Sequence, residues 1–349
     1  MREVILSVED LKIHYPIKMK VKGKMLSQKN CVQAVNGISF NVYKGETLGI
    51  VGESGCGKST LGRAIVRLEC PTSGKILYKG EDIWKYDKDQ LFAYRKRAQM
   101  IFQDAYSTLD PRFTIGRSIC EPMVIHKSAT KKENEQRARQ LMTDVGLPET
   151  YFDRYPHEFS GGQRQRIGVA RALTLNPEIM VCDEPVSALD VSVQAQILNL
   201  MKDLQEKYDL TYIFISHNLS VVKHLCDRIG VIYLGNMVEL STKAELFQNM
   251  LHPYTRALIS AIPIPDPTFK RKKMILEGDV PTPINPPVGC PFATRCIYAT
   301  ELCKQMRPKL ENVGNDHYVA CHIYGSSRNE MLKKMNQNGI EPPTKESLV

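Results

Sequence analysis

Gly52-Glu53-Ser54-Gly55-Cys56-Gly57-Lys58-Ser59 fits G-x4-G-K-[ST] and lies between an apolar run and a helical pattern, the setting in which this spacing binds phosphate. Glycines let successive backbone N–H groups turn toward one anion, and the helix that follows adds the positive end of its dipole. Lys58 then reaches the β- and γ-phosphates, and the Ser59 hydroxyl ligates Mg²⁺. A metal-nucleotide site also needs an acid at the end of a neighbouring buried strand, and Ile179-Met180-Val181-Cys182-Asp183-Glu184 supplies two. Asp183 would hold the Mg²⁺ shell, while Glu184, one step nearer the phosphate, would orient and polarise the attacking water as general base. Alone, such a run is equally an exposed acidic turn; its weight comes from the conjunction. A second constellation is Cys290, Cys296, Cys303 and Cys321, spaced C-x5-C-x6-C-x17-C. Four thiolates behind a proline-rich connector point to a metal staple, but the spacing lacks the C-x2-C knuckles of zinc ribbons. Metal ligation and plain buried thiols both stay open on the residues alone.

The phosphate motif needs a strand before it and a helix after it. Thr47-Leu48-Gly49-Ile50-Val51 reads as the strand, and Leu61, Ala64, Ile65 and Leu68 recur at helical spacing. The apolar runs at 177–182 and 210–215 do not alternate, as expected of strands buried on both faces of a parallel sheet. Helical patterns at 163–175 and 191–207 separate them. Residues 4–42 alternate in short segments around a lysine-rich stretch, which predicts antiparallel strands and a long loop. Residues 100–160 carry little strand signal and read as an inserted helical subdomain. After residue 262 come IPIPDP, KRKK and PTPINPP, a connector that cannot continue a helix. The organisation expected is a core over 1–262 with a helical subdomain at about 100–175, a connector and Cys-cluster module over 263–324, and a disordered polar tail over 325–349.

A chain of 349 residues is long enough for two domains, or for one large domain with an appendage. Its 42% hydrophobic and 24% charged residues exclude wholesale disorder, a collagen-like repeat and an integral membrane protein. No apolar stretch reaches the length of a spanning helix, and acids interrupt the start MREVILSVED, so a soluble, unexported chain is expected. Ten cysteines are too sparse for a disulfide scaffold, which fits a reducing compartment. Six of them (Cys31, Cys56, Cys70, Cys120, Cys182, Cys226) read as small buried hydrophobes. The formal net charge of +9 calls for nucleic acid, an anionic membrane surface or a phosphorylated ligand as partner. The surplus is local: seven lysines and no acid stand between Asp10 and Glu46, with a second knot at Lys270-Arg271-Lys272-Lys273. Solvated loop lysines and attraction to an anionic leaflet or a partner subunit both account for it.

Phe159-Ser160-Gly161-Gly162-Gln163-Arg164-Gln165-Arg166 leads into a helix just before the Asp183 strand, and it resembles the signature motif of ATP-binding cassette (ABC) ATPases. Gln103 in Ile101-Phe102-Gln103-Asp104 resembles that family's Q-loop, Ser187-Ala188-Leu189-Asp190 its D-loop, and His217 in Ile215-Ser216-His217 its switch histidine. Tyr15 stands where the family has an aromatic that stacks on adenine. The resemblance implies ATP held by Tyr15, Gly52, Glu53, Ser54, Gly55, Cys56, Gly57, Lys58, Ser59 and Thr60, and Mg²⁺ held by Ser59, Gln103 and Asp183. It implies Glu184, His217 and Gln103 as the catalytic set. Ser160, Gly161, Gly162 and Gln163, with Asp190, would act in trans, on nucleotide bound to a second cassette in a head-to-tail dimer.

Gly52 to Arg63, Phe102 to Arg112 and His252-Pro253-Tyr254-Thr255-Arg256-Ala257-Leu258 narrow the likeness to the ATP-binding subunits of oligopeptide/dipeptide ABC importers, nearest to their F-type subunit. Ala105 replaces a common proline and Phe159 a common leucine, and neither change removes a ligand. The fold implied is an α/β P-loop NTPase cassette, with a mixed-sheet core, an antiparallel β portion and a helical subdomain, followed by the small Cys-cluster module. Implied partners are a D-type paralogous ATPase, two transmembrane permease subunits and, indirectly, an external peptide-binding protein. Nucleic acid is not among them. The implied place is the cytoplasmic face of the inner (plasma) membrane. In that family four such cysteines hold a [4Fe–4S] cluster, read here as structural, with zinc as the lesser alternative. Import of nickel or another small solute is the nearest rival reading. A soluble ABC ATPase of DNA or ribosomes would carry a coiled-coil insertion or two cassettes, and a stand-alone nucleotide-binding regulator would not need the complete hydrolytic set.

Overall fold

Two thirteen-residue strands, Val4–Pro16 and Cys31–Tyr43, open the chain and pair antiparallel. Leu6 and Val8 point inward, as do Leu11 and Ile13; the change of parity between the pairs is made by a bulge at Asp10, whose φ is +42°. Ser73–Tyr78 and Glu81–Asp82 complete this four-stranded antiparallel sheet. The computed structural model describes residues 2–17, 19–21, 24–26, 30–104, 106–262, 274, 276, 278 and 281–343. Lys18, Lys22, Lys29 and the Lys270–Lys273 knot lie outside the described residues, as does the end of the chain from 344.

The second sheet has eight strands in the order Glu311–Asn312, Tyr318–Val319, Asn236–Thr242, Arg228–Tyr233, Thr47–Val51, Thr211–Ser216, Ile179–Asp183, Ala98–Ile101. The five from Arg228–Tyr233 onward run parallel. Thr47–Val51, Ile179–Asp183 and Thr211–Ser216 are buried at every position, so each is a continuous apolar run rather than an alternating one. Val51 pairs with Ser216, and Asp183 with Ile215, so three strands end side by side. Ligands of open α/β sheets bind at such carboxyl ends.

Helices Ile115–Ile125, Lys131–Asp144 and Gly161–Leu173 pack on one another as a helical subdomain after the edge strand. Each starts where a hydroxyl side chain, of Thr114, Thr130 or Ser160, accepts from a first-turn N–H. Their apolar faces, including Ile119, Leu141, Met142 and Ile167, belong to the same core as Phe214 and Met180 of the parallel sheet.

The C-terminal segment departs from the expected organisation in two ways. It is not a self-standing cysteine module: Tyr318–Val319 pairs with Asn236–Thr242 in the main sheet, and Phe292 is buried in the main core. His317 Nε2 lies 2.7 Å from the buried Glu239 carboxylate, which also accepts from the N–H groups of Leu251 and His252. The reading from 325 onward as a disordered tail is likewise corrected. Arg328–Gln337 is a helix whose Met331 and Met335, one turn apart, pack on Leu302, Cys303 and Ile323. Two methionines on an otherwise polar helix make a stripe too narrow for composition to register. Among the described residues no helix is long and apolar enough to cross a membrane.

Candidate active site

The loop between Thr47–Val51 and the helix Lys58–Ile65 is built on glycine for steric reasons. At Gly57, φ is +98° and a Cβ would stand 1.9 Å from the Ala34 carbonyl oxygen; at Gly52 it would meet the Ile232 carbonyl oxygen at 2.2 Å. Lys58 is buried, and its Nζ donates to the carbonyls of Gly52 and Glu53 at 2.9 Å each, arching over the loop. The Cys56 thiol is buried beneath it, and burial pushes its pKa up. The Ser59 hydroxyl donates to Asp183 Oδ1 at 2.8 Å, which sets two hard oxygen ligands side by side at the mouth of the loop. Burial pushes the Asp183 carboxyl above its ordinary pKa, opposed by the Ser59 hydrogen bond and the Arg63 charge.

Glu184 follows Asp183 at φ +47°, an uncommon conformation for a residue with a Cβ, and its N–H donates to the Ile215 carbonyl at 2.9 Å. That turn lifts its carboxylate clear of the sheet edge. Gln103 Nε2 donates to Glu184 Oε2 at 3.1 Å, and His217 Nδ1 lies 3.0 Å from Oε1. Three residues read from three separate motifs therefore meet at one carboxylate. Gln103 joins Glu184 here rather than the Ser59–Asp183 pair to which its expected metal role assigns it.

Tyr15, at the end of the first strand, has its phenol pushed up to about 12 by burial and by a hydrogen bond with Glu69; it also bonds the Thr60 side chain in the first turn of the Lys58–Ile65 helix. Ser187 and Asp190 are exposed, with the Ser187 hydroxyl donating to the Glu184 carbonyl at 3.0 Å. Ser160 and Gln163 close a reciprocal capping box at the start of Gly161–Leu173. Gly162 lies where a Cβ would meet Val193 at 2.5 Å. Among the described residues none of these signature groups bonds the phosphate loop of its own chain. The loop after Gln103 is tied to the signature helix instead, by Arg171 donating to the Thr108 carbonyl and by Arg164 over the Tyr106 ring.

Two residues without an assigned role touch the site. The Glu53 N–H donates to the Tyr254 hydroxyl at 2.9 Å, and Arg295 pairs with the Glu53 carboxylate at 3.1 Å. Tyr254 lies in the His252–Leu258 run and Arg295 between two of the clustered cysteines, but no spacing rule connects either to residue 53. The Cys321 thiol is buried and raised further by Cys290, Cys296 and Cys303, so the four thiols lie within electrostatic reach of one another. The thiols of Cys290 and Cys296 are pushed up to about 12, chiefly by burial. Backbone N–H groups of Phe292, Ala293, Tyr298 and Ile323 oppose that rise. Among the described residues, however, no three His, Cys, Asp or Glu side chains converge closely enough to hold a metal ion. The zinc alternative thus finds no site, and the geometry does not carry the iron–sulfur expectation.

Residues 35–187 match the family model described as ABC transporter, and residues 238–303 the one described as oligopeptide/dipeptide transporter, C-terminal region. The oligopeptide transport ATP-binding protein AppF of Bacillus subtilis is 52% identical over 93% of this chain and 98% of its own length. The dipeptide transport ATP-binding protein DppF of Escherichia coli is 47% identical over 94% of this chain and 97% of its own. Among solved structures, a dimeric post-hydrolysis state of the ATP-binding cassette MJ0796, bound to ADP and Pi, superposes with a TM-score of 0.59 at 27% identity. The match covers 68% of this chain and 98% of that one.

Proposed function

The chain belongs to the ATP-binding subunits of oligopeptide/dipeptide ABC transporters, and from that premise we propose how its residues turn ATP hydrolysis into peptide import. It is an ATPase that powers import of oligopeptides or dipeptides. The observation that carries the mechanism is the meeting of Gln103 and His217 on the Glu184 carboxylate, beside the Ser59–Asp183 pair.

ATP seats its phosphates on the N–H groups of residues 52–59, and Lys58 exchanges the loop carbonyls for phosphate oxygens. Ser59 and Asp183, with Gln103 swinging from Glu184, would hold Mg²⁺, which when bound neutralises charge on the β- and γ-phosphate oxygens. Glu184 accepts the proton of the attacking water. His217 stays on the carboxylate when Gln103 leaves it for the metal, and so keeps the base in place. Tyr15 takes the adenine. Ser160, Gly161, Gly162 and Gln163, with the exposed Asp190, act on the nucleotide of a second ATPase subunit. Among the described residues none of them bonds the phosphate loop of its own chain, which supports that assignment, and the MJ0796 cassette is itself a dimer. A D-type paralogue is the partner we assign, docked under two permease subunits at the cytoplasmic face of the inner membrane.

Glu184→Gln tests the base directly. In the assembled transporter, turnover is expected to fall about 10²–10⁴-fold with ATP still bound, and wild-type turnover would remove Glu184 from its role.

For the cysteines we propose that Cys290, Cys296, Cys303 and Cys321 would hold a [4Fe–4S] cluster with a structural role. A cluster spreads its irons over a larger body than a single ion, so it does not require the close convergence that zinc would. The charges of Cys290, Cys296 and Cys303 raise the Cys321 thiol, and that mutual influence is what supports it. Anaerobically purified protein should be brown and contain iron and sulfide in equal amounts; colourless, iron-free protein would overturn this.

A further inference from the structure

Glu53, the second residue of the phosphate loop, is engaged through every polar group it has. Its N–H donates to the Tyr254 hydroxyl at 2.9 Å, its carbonyl accepts from Lys58 Nζ at 2.9 Å, and its two carboxylate oxygens lie 3.2 and 3.1 Å from Arg295 Nη1. Arg295 comes from the far end of the chain. Its side chain is only 8% exposed, and its other bonding partner is the Tyr233 hydroxyl at 3.5 Å. A guanidinium in that position is costly unless it is paired, so the pair is held together from both sides. Its place is fixed by Phe292, whose carbonyl accepts the Arg295 N–H at 3.0 Å. The Phe292 ring is wedged against Tyr233, Tyr254 and His252, with centroids 5.2, 5.6 and 5.6 Å away. The same ring cluster thus places both the arginine and the tyrosine that grip Glu53.

We propose that Arg295 is a positioning residue for ATP: its ion pair with Glu53 holds the phosphate loop in its binding conformation, so the cysteine-bearing C-terminal segment sets nucleotide affinity. The proposal rests on the reading of residues 52–59 as the ATP site. The Arg295 side chain bonds Glu53 and Tyr233, so it acts on the loop rather than on the reacting groups at Glu184. Its removal should therefore weaken binding without altering the chemistry at Glu184.

The test uses the full-length chain in its assembled transporter, with ATPase kinetics and equilibrium binding of a fluorescent ATP analogue. Arg295→Met is expected to raise the KM for ATP about tenfold while kcat changes less than about twofold. Arg295→Lys should recover part of the loss. Glu53→Gln should give a rise of the same size, and the double variant one no larger than either single variant. If Arg295→Met does not fold, Glu53→Gln, which keeps a side-chain oxygen able to accept from Arg295, carries the test alone. Lys58→Ala separates the two layers. If it abolishes binding while Arg295→Met and Glu53→Gln titrate like the wild type, Arg295 has no positioning role and the ATP-site reading stands. If Lys58→Ala binds the analogue as the wild type does, the ATP-site reading fails and the proposal falls with it. A fall in melting temperature with KM unchanged would make the ion pair merely structural, and that also overturns the proposal.

Discussion

Single residues at the sheet edge hold conformations that most side chains avoid. Glu184 sits at φ +47° between Asp183 and the Pro185 turn, a conformation that costs of the order of 1 kcal/mol. The compensation is functional, since the carboxylate is carried to Gln103 and His217. Gly57 and Gly55 separate backbone conformation from crowding. Both have positive φ, +98° and +77°, but a Cβ at Gly57 would strike the Ala34 carbonyl, whereas one at Gly55 would meet nothing within 4 Å. Gly57→Ala is expected to abolish ATP binding and to destabilise the fold by about 1–3 kcal/mol. Gly55→Ala should cost only about 1 kcal/mol. Chemical denaturation together with nucleotide titration distinguishes them, and equal effects would contradict the steric account.

The helix Pro253–Ser260 is an element whose stability depends on pH. His252 caps it: Nδ1 accepts from the Tyr254 N–H at 3.1 Å, which requires an unprotonated nitrogen, and the ring is buried against Phe292. Burial pushes its pKa down to about 4, with the Arg256 charge acting the same way and the Glu239 charge opposing. The unfolded chain, with an ordinary histidine near 6.5, binds the proton more readily than the folded one. The stability this ring contributes is therefore complete above about pH 6.5 and lost as pH falls toward 4, up to about 3 kcal/mol. His252→Asn keeps a capping acceptor and cannot titrate, so its denaturation midpoint should vary less over that window. An unchanged acid slope would show that another group is responsible. The strands and helices around this one were legible because each carries an unbroken apolar run or repeats a helical period. Ile213-Phe214-Ile215 reads as doubly buried strand, and the run after Ser160 as helix. The helix at Arg328–Gln337 was hidden because only Met331 and Met335 mark its buried face.

At the scale of the whole molecule, the candidate site residues Lys58, Gln103, Asp183, Glu184 and His217 were legible because each sits in a short run with its own chemistry. The fold then only had to bring those runs to one edge. Arg295 stands in no such run, and the run that holds Tyr254 does not point to residue 53. They reach Glu53 across 242 and 201 positions, through a ring cluster whose members share no spacing. The charge surplus divides in a similar way. Lys12 and Lys44 are paired with Asp10 and Asp209 at 3.2 and 2.9 Å, so these two belong to solvated local pairs and add little stability. The C-terminal strands carry one more consequence. Asn236–Thr242 would be an open margin of the main sheet, a row of unmated backbone groups able to recruit another chain, were it not for Tyr318–Val319 laid along it and the short Glu311–Asn312 beyond. By ending the sheet in a two-residue strand, the segment that reaches back to the phosphate loop also guards the protein against edge-to-edge aggregation.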